Sequence, residues 1–216
     1  MRRFLHDNGL SLVLAAMFLV FWIAQSLVGH HEYNQEQQGH GQSQITYSQY
    51  LRTGAFVEAT AENWESEFLQ MFFYVLLTAF LVQKGSAESK WPDPDEPEPK
   101  EPPEEHQPGP VRAGGWRLKI YEHSLSLAFL TLFLISFVAH GMGGAHDYNQ
   151  GQAEHGQPAV SLLGYFATSR FWFESFQNWQ SEFLAVLAMV VLSIWLREKN
   201  SPESKRVEAP HSETGA

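Results

Sequence analysis

Two asparagine–glutamate pairs stand at helical spacing in this chain, Asn63 with Glu67 and Asn178 with Glu182. Residues four apart share a helix face, so each pair would present an amide beside a carboxylate. Two such carboxylates meeting within a membrane could bind a cation or carry protons. The local alternative, and the expected one, is that each Glu tethers its own outer loop, accepting hydrogen bonds from backbone amides or from Arg52 and Arg170. A second set of groups is rich in imidazole: His31 beside Glu32, His146 beside Asp147, then His40 and His155. Imidazole with carboxylate suits a divalent metal, yet the spacing is not that of an HExxH helix, and the Gln- and Gly-rich surroundings read more simply as loop polarity. Haem fits worse. Bis-histidine ligation needs facing histidines within the span, whereas His123 and His140 lie near opposite ends of one apolar block. No cofactor is expected.

The elements that must position these groups are visible because the chain repeats itself. Asn63-Trp64-Glu65-Ser66-Glu67-Phe68-Leu69 returns 115 positions later as Asn178-Trp179-Gln180-Ser181-Glu182-Phe183-Leu184. Without a gap, the same offset aligns Gly29-His30-His31-Glu32-Tyr33-Asn34-Gln35 with Gly144-Ala145-His146-Asp147-Tyr148-Asn149-Gln150. It also aligns His40-Gly41-Gln42 with His155-Gly156-Gln157, and Tyr50 with Tyr165. An internal repeat constrains architecture before any local reading. The copies differ at Glu58/Phe173, Glu62/Gln177 and Glu65/Gln180, so the first is the more acidic.

Four apolar blocks carry most of the Leu, Val, Phe and Ala. A span needs about 20 residues to cross ~30 Å of hydrocarbon, which predicts helices near 10–28, 64–83, 122–142 and 179–197. The first block could be mistaken for a signal peptide, with Ala24-Gln25-Ser26 as cleavage site. Its recurrence in mid-chain argues for an uncleaved span. Trp64 and Trp179 fall where interfacial aromatics belong. Lys84-Gly85 and Lys199-Asn200 read as helix stops, a cation at the negative helix end followed by a residue that tolerates positive φ.

Of the 14 Lys and Arg residues, only Arg52 and Arg170 lie in the two loops opposite the N-terminus. By the positive-inside rule both termini are cytoplasmic. The expected fold is therefore an all-α integral membrane protein, with four transmembrane helices as two parallel-oriented helical hairpins about a pseudo-two-fold along the membrane normal. Residues 1–90 form the first hairpin and 116–205 the second. Residues 91–115, Pro- and Glu-dense, read as a disordered acidic linker, and 206–216 as a disordered tail.

The chain has a formal charge of −10 and no Cys. Seven acidic residues and one Lys between Trp91 and Pro110 account for much of that charge. With no basic cluster, nucleic acid is not an expected partner. Without Cys, disulfide and thiolate chemistry are excluded. There is no phosphate loop or nucleophile elbow, so no enzymatic activity is expected.

The Asn-Trp-x-Ser-Glu-Phe-Leu motif, the Tyr-Asn loop motif and the Gly-Ser-Ala-Glu-Ser-Lys stop together resemble a family of small bacterial membrane proteins catalogued only as a domain of unknown function. The resemblance implies a multi-pass protein of the bacterial cytoplasmic membrane and carries over no catalytic or binding residue. The expected partners are the lipid bilayer and a membrane or periplasmic protein. The expected role is structural or interaction-based. The alternative is a small transporter or channel for a proton, cation or small solute along the axis between the repeats.

Overall fold

The helices outrun the apolar blocks that announce them. The computed structural model describes residues 2–90, 102–103 and 106–215, and among these there is helix and connecting chain but no strand. The order is α1 Arg2–Asp7, α2 Gly9–Gly39, α3 Tyr47–Tyr50, α4 Gly54–Thr78, α5 Gly109–Ala113, α6 Gly115–Glu122, α7 Ser124–Glu154, α8 Leu162–Phe166 and α9 Ser169–Leu192. Two of them, α2 and α7, are long and apolar enough to cross a membrane.

The expected boundaries need correcting at both ends. Helix α2 continues from Gly29 to Gly39, and α7 beyond Met142 to Glu154, through stretches expected to be loop. Gln and Glu are good helix formers, so hydropathy marks where the apolar surface ends and not where the helix does. The true stop is the repeated His-Gly-Gln triplet. Gly41 and Gly156 hold positive φ, 72° and 66°. The Gln42 and Gln157 amides donate to the carbonyls of Gln37 and Gln152, both at 2.8 Å, while Gly41 and Gly156 donate to Gln38 and Ala153. That is a Schellman closure, which satisfies carbonyls the helix end would leave open.

Helices α4 and α9 are displaced the other way. Each begins at a threonine, Thr53 or Thr168, whose hydroxyl accepts from the amide three residues on, Phe56 or Phe171. Each then ends before the Lys-Gly or Lys-Asn stop. Gly85 and Asn200 do take positive φ, but in turns beyond the helix.

The chain forms two compact units, Met1–Thr60 with Ala139–Ala167, and Ala61–Val138 with Thr168–Ala216. In the first, the Tyr-Asn motif has a mechanical role. Asn34 Nδ2 donates to the Ile45 carbonyl at 3.0 Å while its Oδ1 accepts from the Ile45 amide at 2.8 Å. Asn149 clasps Val160 with the same two bonds, at 3.0 and 2.8 Å. Each side chain thus substitutes for a backbone partner that an irregular segment lacks. Tyr50 and Tyr165 lie at equivalent places, against Tyr33 and Tyr148 with ring centroids 5.7 Å apart. Asn34→Ala and Asn149→Ala should each cost about 1–3 kcal/mol, the penalty for stranding buried polar groups. Amide exchange at Ile45 or Val160 respectively should accelerate. Unchanged exchange at either amide would show that its clasp is incidental.

In the second unit the tail makes hydrogen bonds of its own. Lys205, only 3% exposed, donates to the carbonyls of Glu213, His211 and Pro210 at 2.8, 3.1 and 3.4 Å. The Gly215 amide reaches the Ser86 carbonyl at 2.9 Å. One ammonium gathers these carbonyls, a contact that leaves no apolar signal in the sequence. The expected disordered linker also needs qualification. Gly109–Ala113 is a helical turn with Pro110 near its start, and 91–101, 104 and 105 lie outside the described residues.

Candidate functional site

A buried carboxylate, imidazole and phenol come together in the first unit. Glycines make this possible. A Cβ on Gly143 would sit 2.5 Å from the Glu58 amide nitrogen and 2.9 Å from the Gly54 carbonyl. One on Gly54 would sit 2.6 Å from the Gly143 carbonyl. Only hydrogen at both positions lets the backbones of α4 and α7 touch. That contact brings the start of α4 into the interior, and Glu58 with it. Glu58 is 6% exposed, and His140 on α7 and Tyr165 on α8 are fully buried. The Tyr165 hydroxyl donates to Glu58 Oε1 at 3.1 Å. The nearest carboxylate oxygen of Glu58 and ring nitrogen of His140 lie within 4.8 Å of each other.

A buried carboxylate persists only where hydrogen bonds or opposite charge replace its water. The Tyr165 hydroxyl supplies one such bond. Nitrogen and oxygen ligand atoms within this distance can take a cation between them or relay a proton through one water. Glu58 and His140 have no counterparts 115 positions away, where Phe173 and Gln25 stand. Tyr165 does, in Tyr50.

The residues singled out by sequence are placed differently. Asn63, Trp64 and Glu67 are exposed on α4, and the buried polar groups of that helix are Glu58, Thr60, Glu65, Ser66 and Gln70. Within the second unit, Asn178 Nδ2 donates to Glu62 Oε1 and the Trp179 indole to Glu65 Oε1 at 3.0 Å. Gln70 Nε2 donates to the Glu182 backbone carbonyl at 2.8 Å. The Glu67 and Glu182 carboxylates are near enough for their charges to repel. Arg170, one of the two expected tethers, pairs with Glu174 on its own helix at 2.7 Å.

The four histidines weighed as metal ligands are not gathered into one site. His31 and His146 each meet the glutamine four residues on, Gln35 at 2.7 Å and Gln150 at 3.1 Å. His40 and His155 are the C-cap residues of the Schellman turns. His40 approaches Glu154 at 3.8 Å, and the His155 ring lies 2.8 Å from the Gly151 carbonyl.

Sequence reasoning therefore missed Glu58, His140, Tyr165 and Glu65. One signal pointed to two of them. Glu58 and Glu65 are positions at which the copies disagree, an acid facing Phe173 or Gln180. Nothing local distinguishes His140 from an ordinary residue near the end of an apolar block.

No curated protein and no solved structure matches the chain. A family model described as a domain of unknown function (DUF6766) matches residues 1–216, and the protein belongs to that family.

Proposed function

We propose that this is a multi-pass protein of the bacterial cytoplasmic membrane with a structural or interaction role rather than a catalytic one. The observation that carries the reading is the outward-facing apolar surface of α2 and α7. Val20 is 63% exposed and Ile135 62%, with Leu10, Phe21, Leu125 and Leu134 also more than half exposed. Water does not tolerate helices that expose so many large apolar side chains, whereas lipid does. Helices α4 and α9 complete four spans in two hairpins, both termini cytoplasmic. The acids of α4 are compatible with this, because Glu62 and Glu65 accept from Asn178 and Trp179.

Reporter fusions at Gln44, Pro97 and Gln157 test the arrangement, with outside, inside and outside expected. The protein should also resist alkaline extraction from membranes. Release by alkali, or Gln44 and Gln157 on opposite faces, would refute it.

A second reading, passage of a proton, cation or small solute, is favoured by one observation: the burial of Glu58 beside His140 and Tyr165. Ionisable groups in a membrane interior commonly mark a pathway. Proton flux in proteoliposomes that Glu58→Gln abolishes would put this reading first.

A further inference from the structure

The last turns of α4 and the segment after it line a cavity of about 310 Å³ within the second unit. One wall is apolar, with Leu77 from α4 and Phe183, Val186 and Val190 from α9. Tyr74 and Glu88 belong to its polar lining, with Gln70, Thr78, Gln83 and Ser89. Glu88 is brought there by the segment after α4. Gly85 takes positive φ, the Gln83 amide donates to Ser89 Oγ at 2.8 Å, and the Glu88 amide donates to Ser86 Oγ at 3.2 Å. Ser86 Oγ in turn meets Ser193 Oγ at 2.8 Å. The Gly-Ser-Ala-Glu-Ser run is thus a cradle that places one carboxyl in the lining of a largely apolar cavity.

That carboxyl is half satisfied. Its Oε2 accepts from the Tyr74 hydroxyl. Its Oε1 is buried and accepts from no N–H or hydroxyl among the described residues, and the Glu203 carboxyl lies within hydrogen-bonding reach of the group. Its close neighbour is another acid, Glu203, the residue 115 positions on. Burial pushes the Glu88 pKa up, the Tyr74 bond draws it partly back, and Glu203 raises it further. No Lys, Arg or His lines the cavity. Two carboxyls held together without a cation disfavour joint ionisation, and a cation between cavity and Glu88 would relieve both burial and repulsion. The volume lies at the low end of ligand pockets, about 300–1,000 Å³, so the site suits one short chain rather than a whole lipid.

We propose that this cavity binds an aliphatic ammonium, its tail against Leu77, Phe183 and Val186 and its charged head against the Glu88 carboxyl. An acid with the same tail would bring its carboxylate against Glu88 and is excluded by like charge. The free amine and the headgroup of an aminophospholipid share this chemistry.

The test uses the full chain in maltoside micelles, with hexylammonium, hexanol and hexanoate as probes and binding read by saturation-transfer NMR. Hexylammonium should bind at least about ten-fold tighter than hexanoate, as expected for a hydrogen-bonded charge pair. Glu88→Gln should lose about that factor for hexylammonium and little for hexanol. Val186→Trp should weaken both by filling the apolar wall. Equal binding of hexanoate, or an unchanged hexylammonium affinity in Glu88→Gln, overturns the proposal. Should Glu88→Gln fail to fold, the wild-type ranking of the three probes decides alone. Native mass spectrometry separates the sources. Retention of an aminophospholipid that hexylammonium displaces identifies the lipid headgroup, and hexylammonium binding without such retention identifies a free amine. None of these readouts depends on membrane topology, so their failure would leave the proposed spans standing.

Discussion

Gly143→Val should prevent the first unit from assembling, with a loss of at least about 3 kcal/mol in thermal or denaturant unfolding in mild detergent. Overpacking a core ordinarily costs about 1–3 kcal/mol because neighbouring side chains move aside. Here the neighbours are backbone atoms, the Glu58 nitrogen at 2.5 Å and the Gly54 carbonyl at 2.9 Å from a new Cβ. Backbone inside a helix cannot rotate away without breaking its own hydrogen bonds. Gly54→Val should fail in the same way, since its Cβ would meet the Gly143 carbonyl at 2.6 Å. Gly151→Val on the same helix is the control. A Cβ there meets nothing within 4 Å, so only the intrinsic helix preference changes, by well under 1 kcal/mol. Equal stability of Gly143→Val and Gly151→Val would mean that α4 and α7 do not touch at these glycines.

Tyr165→Ala should cost about 3–5 kcal/mol, the range for removing a fully buried aromatic side chain, since Tyr165 has no exposed surface. Tyr165→Phe separates the hydroxyl from the ring. Losing a donor to a buried carboxylate costs about 1.5–3 kcal/mol, and Glu58 Oε1 is that acceptor. The cycle with Glu58→Leu measures the coupling directly. If the hydroxyl serves mainly to hold the carboxylate, the double variant Glu58→Leu/Tyr165→Phe should lose less than the sum of the single ones. Strict additivity would show that the two groups are stabilised independently. The equivalent Tyr50→Phe provides a contrast, because position 173, equivalent to Glu58, is Phe.

Helical character and the recurrence of motifs were legible from residue types alone, and so were the conformations of several stops. Long apolar runs in α2 and α7 can satisfy their backbone only as helix if lipid surrounds them. Gly85 and Asn200 hold the positive φ that their place after a Lys suggested. Such signals are local. Each depends on a residue and its near neighbours, and no distant partner is needed to interpret them.

Two features needed distant partners to be placed. The His-Gly-Gln triplets looked like ligand sites or loop, yet each closes a helix whose length is set by hydrogen bonds rather than by hydropathy. The Asn63/Glu67 face attracted attention because the motif repeats it, yet α4 buries Glu58, Glu65 and Gln70 instead. Periodicity states which residues share a face but not which face meets a neighbour.

By itself, then, the sequence determined the helical class, the two most apolar helices and the repeated local devices, because propensity, capping and apolar length act over a few residues. Only the tertiary structure decided which acids are buried and what satisfies them. Glu58 receives the Tyr165 hydroxyl from 107 positions away, through an approach that Gly54 and Gly143 permit. Glu88 lies beside Glu203 because turns after two separate helices bring them together. Burial of a charge is settled by the groups that replace its water, and those groups are set by packing.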